Sequence, residues 1–209
     1  MDTTSRNNMT KPVPEAKSAA TRDRILGAAA RVLSLKGYAA TRLSDIADLA
    51  GVRTPAVYYY FPSREVLITE VMVVGQLRLR EHVETELAAL PAGTPPMDRI
   101  CAAVKAHLQV ELDLSDFATA VTRNSGQLPE EVRARLREES GAYLALWRDL
   151  LATAKAAGAI RDGLDLRAAR MLVMGALNWT PEWWNPRQGS LTGVIRTAQS
   201  LVRHGLGTP

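Results

Sequence analysis

The sequence predicts an all-helical protein, with a small N-terminal unit carried on a larger C-terminal one. Three observations support that expectation. Alanine and leucine fill long stretches while runs of β-branched residues are scarce. Apolar residues recur at helical spacing in the segments between proline and glycine breaks. Two very short helical patterns, Leu43–Ala50 and the stretch after Val52, meet at Gly51-Val52, which is the plan of a helix-turn-helix. At 209 residues and 46% hydrophobic composition, the chain is long and apolar enough to bury a sizeable core.

Composition narrows the function classes. A single cysteine, Cys101, rules out an internal disulfide and fits a reducing cytosol. The first residues, MDTTSRNNMTKPVPEAK, lack the apolar segment of a secretory signal, and the longest apolar run, around Met171–Trp179, is too short to span a bilayer. A cytoplasmic protein with no membrane partner is therefore expected. Residues 1–64 hold ten Lys/Arg against five Asp/Glu, whereas the remaining residues hold 16 against 17. A basic end on a near-neutral body suits a polyanionic partner for that end alone, although a solvated basic face would give the same count. His82, His107 and His204 are far apart, and no metal-ligand spacing, nucleophile elbow or phosphate loop is present, so neither catalysis, a metal nor a cofactor is expected. His107 and Glu111 do share i, i+4 spacing, which more often marks a surface or hydrogen-bonded pair than a site.

In chain order, residues 1–17 carry Pro12 and Pro14 and no apolar periodicity, so a disordered basic arm is expected. A first helix follows from Ala20 or Thr21 to Lys36, its apolar face built on Ile25, Ala28, Ala29, Val32 and Leu33, with Gly37 as the stop. In the second helix Leu43, Ile46, Ala47 and Ala50 face inward, and Thr41 or Ser44 supplies the cap. Gly51 makes the turn, and Pro55 suits the first turn of a third, very short helix. Tyr58, Tyr59, Tyr60 and Phe61 cannot all enter one core, so at least one or two must point outward. Ser63 caps a long fourth helix that runs to about Leu90 and ends at PAGTPP. Beyond it, helices are expected over Met97–Leu112, Ser115–Asn124, Pro129–Ala157, Leu166–Trp179 and Ser190–His204.

The stretch ATRLSDIADLAGVRTPAVYYYFPSREVL, with the helix before it, resembles the DNA-binding domain of the TetR family of bacterial transcriptional repressors. The elements Ile46-Ala47, Ala50-Gly51-Val52, Tyr58 to Phe61 and Ser63-Arg64-Glu65 carry the resemblance over roughly Thr21–Leu67. It implies that Thr41, Arg42 and Ser44 touch phosphates at the start of the second helix. It places Arg53, Thr54 and Pro55 at the groove edge or over bases, Tyr58 and Tyr59 on the backbone or on thymine methyls, and Arg64 on a further phosphate. Pro55 stands where the family usually has a glycine, alanine or small polar residue. The domains implied are an arm at 1–17, a helix-turn-helix domain at 18–66, and a ligand-binding and dimerisation domain at 67–209.

In the second domain, MLVMGALNWTPEWWNP (Met171–Pro186) concentrates three tryptophans. One reading is core plus a dimer seam. The other is a ligand cavity in which Met171 and Met174 adapt in shape and Asn178 and Trp179 give polar anchors. Pro181 is expected to end the helix, leaving Trp183–Pro186 as a loop. The segment also resembles a TetR subgroup with an Asn-Trp-x-x-x-Trp-aromatic motif, whose members respond to fatty or sterol-derived acyl-CoA thioesters. That resemblance puts Asn178, Trp179, Trp183 and Arg187 near a CoA entrance or the dimer seam, with Arg123 a further contact. The function implied is a homodimeric repressor on a palindromic double-stranded DNA operator, released by a small-molecule effector. The alternative is a DNA-binding regulator sensing hydrophobic drugs or a protein partner.

Overall fold

The computed structural model describes residues 14–114, 116–124, 126 and 128–208. The helices in chain order are α1 (Pro14–Ala40), α2 (Leu43–Ala50), α3 (Thr54–Tyr60), α4 (Arg64–Ala88) and α5 (Pro96–Gln109). After a π-helical turn at Val110–Leu114 come α6 (Asp116–Asn124), α7 (Glu130–Ala156), α8 (Leu166–Trp183) and α9 (Leu191–Leu206). The all-α expectation holds, and one isolated bridge, Ile160 with Gly207, ties the end of α9 to the turn after α7.

The local signals place most ends correctly. Ser63 and Ser190 cap α4 and α9, their hydroxyls accepting from the Val66 and Gly193 amides at 3.1 Å. Asp165 caps α8 by accepting from the Arg167 and Ala168 amides. Three expectations need correction. First, α1 begins at Pro14, inside the stretch expected to be an arm; proline costs nothing in a first turn, where the amides have no helical partner. The rest of that arm, residues 1–13, lies outside the described residues. Second, α2 has no side-chain cap: its N-cap is Arg42, and Thr41 is buried with its hydroxyl donating 2.7 Å to the Gly37 carbonyl. Third, α8 does not stop at Pro181 but continues to Trp183. Pro181 falls in the last turn, so its missing N–H removes only the bond to the Leu177 carbonyl. The neighbouring carbonyls are engaged, Thr180 by the Trp184 amide at 2.9 Å and Pro181 by Arg123 at 3.0 Å.

Two buried clusters fill the molecule. The upper one joins α1, α2, α3 and the start of α4 through Ile25, Leu33, Ile46, Val57 and Phe61, and it takes in Phe117 and Val121 of α6, Leu128 before α7, and Val132 and Leu136 near the start of α7. The lower one packs the rest of α4 and α7 with α5, α8 and α9 around Tyr143, Trp147 and Leu151. Burial of each such large side chain contributes about 1.5–3 kcal/mol. The head formed by α1–α3 therefore rests on α6 as part of one core.

The bond pattern repeats this. Gly37 breaks α1 with φ +76°, a conformation that favours glycine. The fully buried Asn124, last residue of α6, accepts there from the Tyr38 amide at 2.7 Å and donates to the Leu33 and Ala120 carbonyls. Arg31 and Ser34 of α1 reach Asp116 at the other end of α6.

Candidate functional site

The head presents one site. Gly51 ends α2 at φ +65°, its amide bonding the Ala47 and Asp48 carbonyls, while Val52 N–H donates to Ala47 at 3.0 Å. That turn is the left-handed helix stop that glycine favours, and it launches α3 at an angle to α2. Ile46, Ala47, Ala50, Val57 and Phe61 are buried, which fixes α3 by its inner side. The outer side then has no choice but to carry the rest. Tyr58 is 53% and Tyr59 81% exposed, and Arg42, Ser44, Arg53 and Pro55 are exposed with Thr54 half-buried. No side chain caps the first amides of α2, which leaves them open to an outside acceptor.

Two residues of this set turn inward instead. Thr41 is buried, as above. Arg64 donates through Nε to the Thr41 carbonyl at 2.8 Å and through a terminal nitrogen to the Tyr38 carbonyl, and its guanidinium lies 4.4 Å from the centre of the Tyr38 ring. It thereby ties α4 to the turn after α1, with Glu65 as its remaining partner at 3.3 Å.

The body holds two neighbouring spaces that share lining residues. An inner cavity of about 340 Å³ lies between α4, the π-turn, α6, α7 and α8, with Leu79, Val121, Leu144, Met171 and Met174 as apolar wall. Its polar lining is Gln76, Glu111, Thr122, Ser140, Tyr143 and Asn178. Gly75 of α4 also lines it; a Cβ there would come within 2.6 Å of the Phe117 carbonyl oxygen, so only glycine lets α4 and α6 approach this closely. Thr122, Gly175 and Asn178 also line an outer cleft of about 540 Å³, bounded by Ser34 to Gly37 of α1 and by Arg123, Trp179 and Glu182.

Arg123 spans that cleft, donating to the Ser34 carbonyl of α1 at 3.1 Å, to the Pro181 carbonyl of α8, and to Glu182 at 2.8 Å. Of the ligand residues expected from sequence, Met171, Met174 and Asn178 meet at the inner cavity, and Arg123, Asn178 and Trp179 at the cleft. Trp183 lines neither; it faces an open apolar groove of about 860 Å³ between α8 and α9. Arg187 lines none of these spaces and lies exposed in the turn after α8, its amide bonded to Asn185.

Beneath the inner cavity is a buried polar cluster. His107 Nδ1 is 2.8 Å from the Tyr143 hydroxyl. Its Nε2 has no well-formed hydrogen bond, although the Asn178 side chain beside the ring favours protonation. Burial outweighs that and holds the His107 pKa down at about 4, so the ring is neutral. Glu111 accepts one hydroxyl, Thr122 Oγ1, at 3.0 and 3.1 Å from its two oxygens. Burial pushes its pKa up to about 7, against the lowering effect of that bond. Burial also raises the Tyr143 phenol, and the nearby Glu111 charge raises it further. The i, i+4 pair His107/Glu111 is thus buried but not mutually bonded: the π-turn starting at Val110 turns Glu111 toward α6. Of the cavity residues, Glu111 was marked only by its i, i+4 spacing with His107, and Thr122 and Tyr143 had no motif to mark them.

A turn-linked pair of short helices with arginines and tyrosines on its outer side, carried on a helical body with an internal cavity, defines a ligand-responsive DNA-binding regulator. Residues 25–71 match the model of the bacterial regulatory proteins of the tetR family, and residues 93–205 that of a tetracyclin repressor-like C-terminal domain. The chain belongs to the TetR family of transcriptional regulators, which are not enzymes. It is 26% identical over 204 residues to the HTH-type transcriptional repressor KstR2 of Rhodococcus jostii, covering 90% of this chain and 92% of that protein. Among solved structures, AibR in complex with isovaleryl coenzyme A and operator DNA superposes with a TM-score of 0.77 at 20% identity, over 90% of this chain and 99% of that one. FadR from Bacillus subtilis in complex with stearoyl-CoA gives 0.74 at 23%, over 88% and 98%.

Proposed function

We propose that the protein is a homodimeric repressor that binds a near-palindromic operator through two heads and leaves it when an acyl-CoA fills the inner cavity and cleft. The observation that carries this reading is the position of Arg123. Its guanidinium lies in the cleft, which shares Thr122, Gly175 and Asn178 with the cavity, yet it bonds the Ser34 carbonyl of α1. A thioester with its acyl group inward would lay its phosphates toward Arg123, with Lys36 on the same cleft. Competition for Arg123 would loosen α6 from α1 and so change how the head is held. The complexes of AibR and FadR with coenzyme A thioesters support the effector class. A ligand shifts operator binding only by its differential affinity for the two states, typically about 1–3 kcal/mol of coupling.

On the DNA side, Arg42 and Ser44 serve phosphates, Arg53, Thr54 and Pro55 stand over the groove, and Tyr58 and Tyr59 supply backbone and thymine-methyl contacts. Thr41 and Arg64 act through the turn they hold. A seven-residue α3 reads few bases, so two copies must be paired, about 34 Å apart, on successive major grooves. The α8–α9 face suits that pairing: Leu172, Trp183 and Leu201 are 75%, 55% and 70% exposed along an apolar groove, and a two-fold contact would bury both copies at once.

The test is an anisotropy titration on DNA selected by the protein from a random pool, repeated with a panel of acyl-CoAs and cationic drugs. Specific binding lost on adding an acyl-CoA, but not free coenzyme A, supports the reading. Release by drugs alone, or no specific binding, overturns it.

A further inference from the structure

The inner cavity contains one group that an ordinary fatty chain leaves unexplained. Glu111 is 3% exposed and lines the space, and its only donor among the described residues is the single hydroxyl proton of Thr122, shared between its two oxygens. Among the described residues no lysine, arginine or histidine pairs with it, and the salt bridges all lie elsewhere. A carboxyl has about four acceptor sites, so most of its capacity faces the cavity unfilled. Four neutral polar side chains, Gln76, Ser140, Tyr143 and Asn178, stand around the same space.

We propose that this cavity takes an acyl group whose buried end carries a hydroxyl, and that Glu111 is the specificity-determining residue that accepts its proton. The inference rests on the acyl-CoA reading above and names the class of acyl chain.

The bland account is that Glu111 only pins the π-turn to α6 through Thr122. For one hydroxyl bond, a buried carboxyl is a poor choice, because burial opposes its ionisation, as its upward-shifted pKa reflects. A serine or glutamine would hold Thr122 without that penalty. A saturated chain pushed into the cavity would strip water from Glu111 and return nothing. A hydroxyl would donate to Glu111 and accept from Gln76 or Asn178, bonds that a saturated chain cannot make. A cationic amine fits less well: the site offers it one acid, resistant to ionisation, and neutral groups otherwise. The volume of about 340 Å³ is at the lower end for small-molecule sites and suits a short or medium acyl group. The same bond gives the hydroxyl leverage. It would sit on the carboxyl that holds Thr122, the neighbour of Arg123, whose hold on α1 the coenzyme end contests.

The experiment titrates the protein on its operator with hexanoyl-, octanoyl- and decanoyl-CoA against their ω-hydroxy counterparts, with calorimetry on the same pairs. The hydroxylated member of the best pair is expected to act at concentrations at least about 30-fold lower, since a site built around a hydroxyl rejects the analogue lacking it. Glu111→Leu should reverse the preference, and Glu111→Gln should reduce it. A thermal melt of each variant checks the fold, and Ser140→Ala, outside the Thr122 contact, is a second test expected to narrow the preference. Equal potency of the paired thioesters, or a preference unchanged in Glu111→Leu, overturns the inference and leaves the acyl-CoA reading standing. An aminoacyl-CoA that outcompetes the hydroxyacyl one overturns it as well. If no acyl-CoA binds, both fail together.

Discussion

The head and the body of this protein dispose of their polar chemistry in opposite ways. In the head the buried polar groups are neutral hydroxyls that donate to backbone carbonyls, as Thr41 does to Gly37 and Ser34 to Arg31, and the arginines and tyrosines of α2 and α3 face out. In the body the ionisable groups His107 and Glu111 are drawn into the core, and the large apolar residues Leu172, Trp183 and Leu201 are left outside. A surface that must meet a polyanion keeps its charges wet and its core inert. On the proposed reading, the costly groups of the body stand around the effector space, and its uncovered apolar residues are the seat of a second copy. The contrast makes each region testable by a different measurement.

The largest effect is expected at the outer side of the body. Leu172→Glu with Leu201→Glu should give a monomer by sedimentation and weaken operator binding by about 100-fold or more, the avidity of two linked heads. A dimer that survives both changes would break the contrast at its apolar end.

The buried pair makes the next prediction. Glu111 has its pKa raised from 4.5 to about 7, so folding disfavours its ionised form, and stability falls as pH rises through that window. His107 has its pKa lowered from 6.5 to about 4, so stability is lost as pH falls through that window. The two trends oppose each other where the windows overlap, and the wild-type protein should show a nearly flat stability profile there. Glu111→Gln should unmask a rise of about 3 kcal/mol with increasing pH across the His107 window, and His107→Phe a comparable fall across the Glu111 window. Denaturant titrations at several pH values would show either slope. Parallel profiles for wild type and both variants would mean that the body is as inert as the head.

Gly75→Ala should cost about 2 kcal/mol in a thermal or urea melt, because the new methyl meets the Phe117 carbonyl and Val121 Cγ2. The smallest expected effect is the cleanest. Tyr58→Ala should weaken operator binding roughly 10-fold while leaving dimerisation, melting and effector binding unchanged, since the ring is exposed on the head and packs in no core. A shift in effector response would show that the head takes part in sensing.

The sequence was most legible where a signal is local. Gly51, Ser63, Ser190 and the Tyr58–Phe61 run each announce a turn, a cap or a division between inside and outside within a few residues, and the structure follows them. It was least legible where a distant partner decides. Pro181 reads as a stop, yet it falls in the last turn of α8, where its missing N–H removes one bond and Arg123, 58 residues away, takes its carbonyl. Arg64 reads as a free cation, yet its Nε and one terminal nitrogen donate to the Thr41 and Tyr38 carbonyls. His107 and Glu111 read as a helical pair, and a π-turn that no spacing rule signals separates them. The methionines and Asn178 were found by their company, whereas Gln76, Thr122 and Tyr143 come to the cavity from three other elements and share no motif.

Asn124 carries a consequence for how such proteins can be rearranged. Its amide is spent on the broken turn of α1, and Phe117 and Val121 beside it complete the apolar core of the head. Cutting the chain after α4 would therefore yield a fragment with a hole where α6 belongs and an open turn at Gly37. A graft of this head onto another regulator would have to bring α6 along. Heads and bodies of this design are not interchangeable parts, because the screw that fastens one is machined from the other.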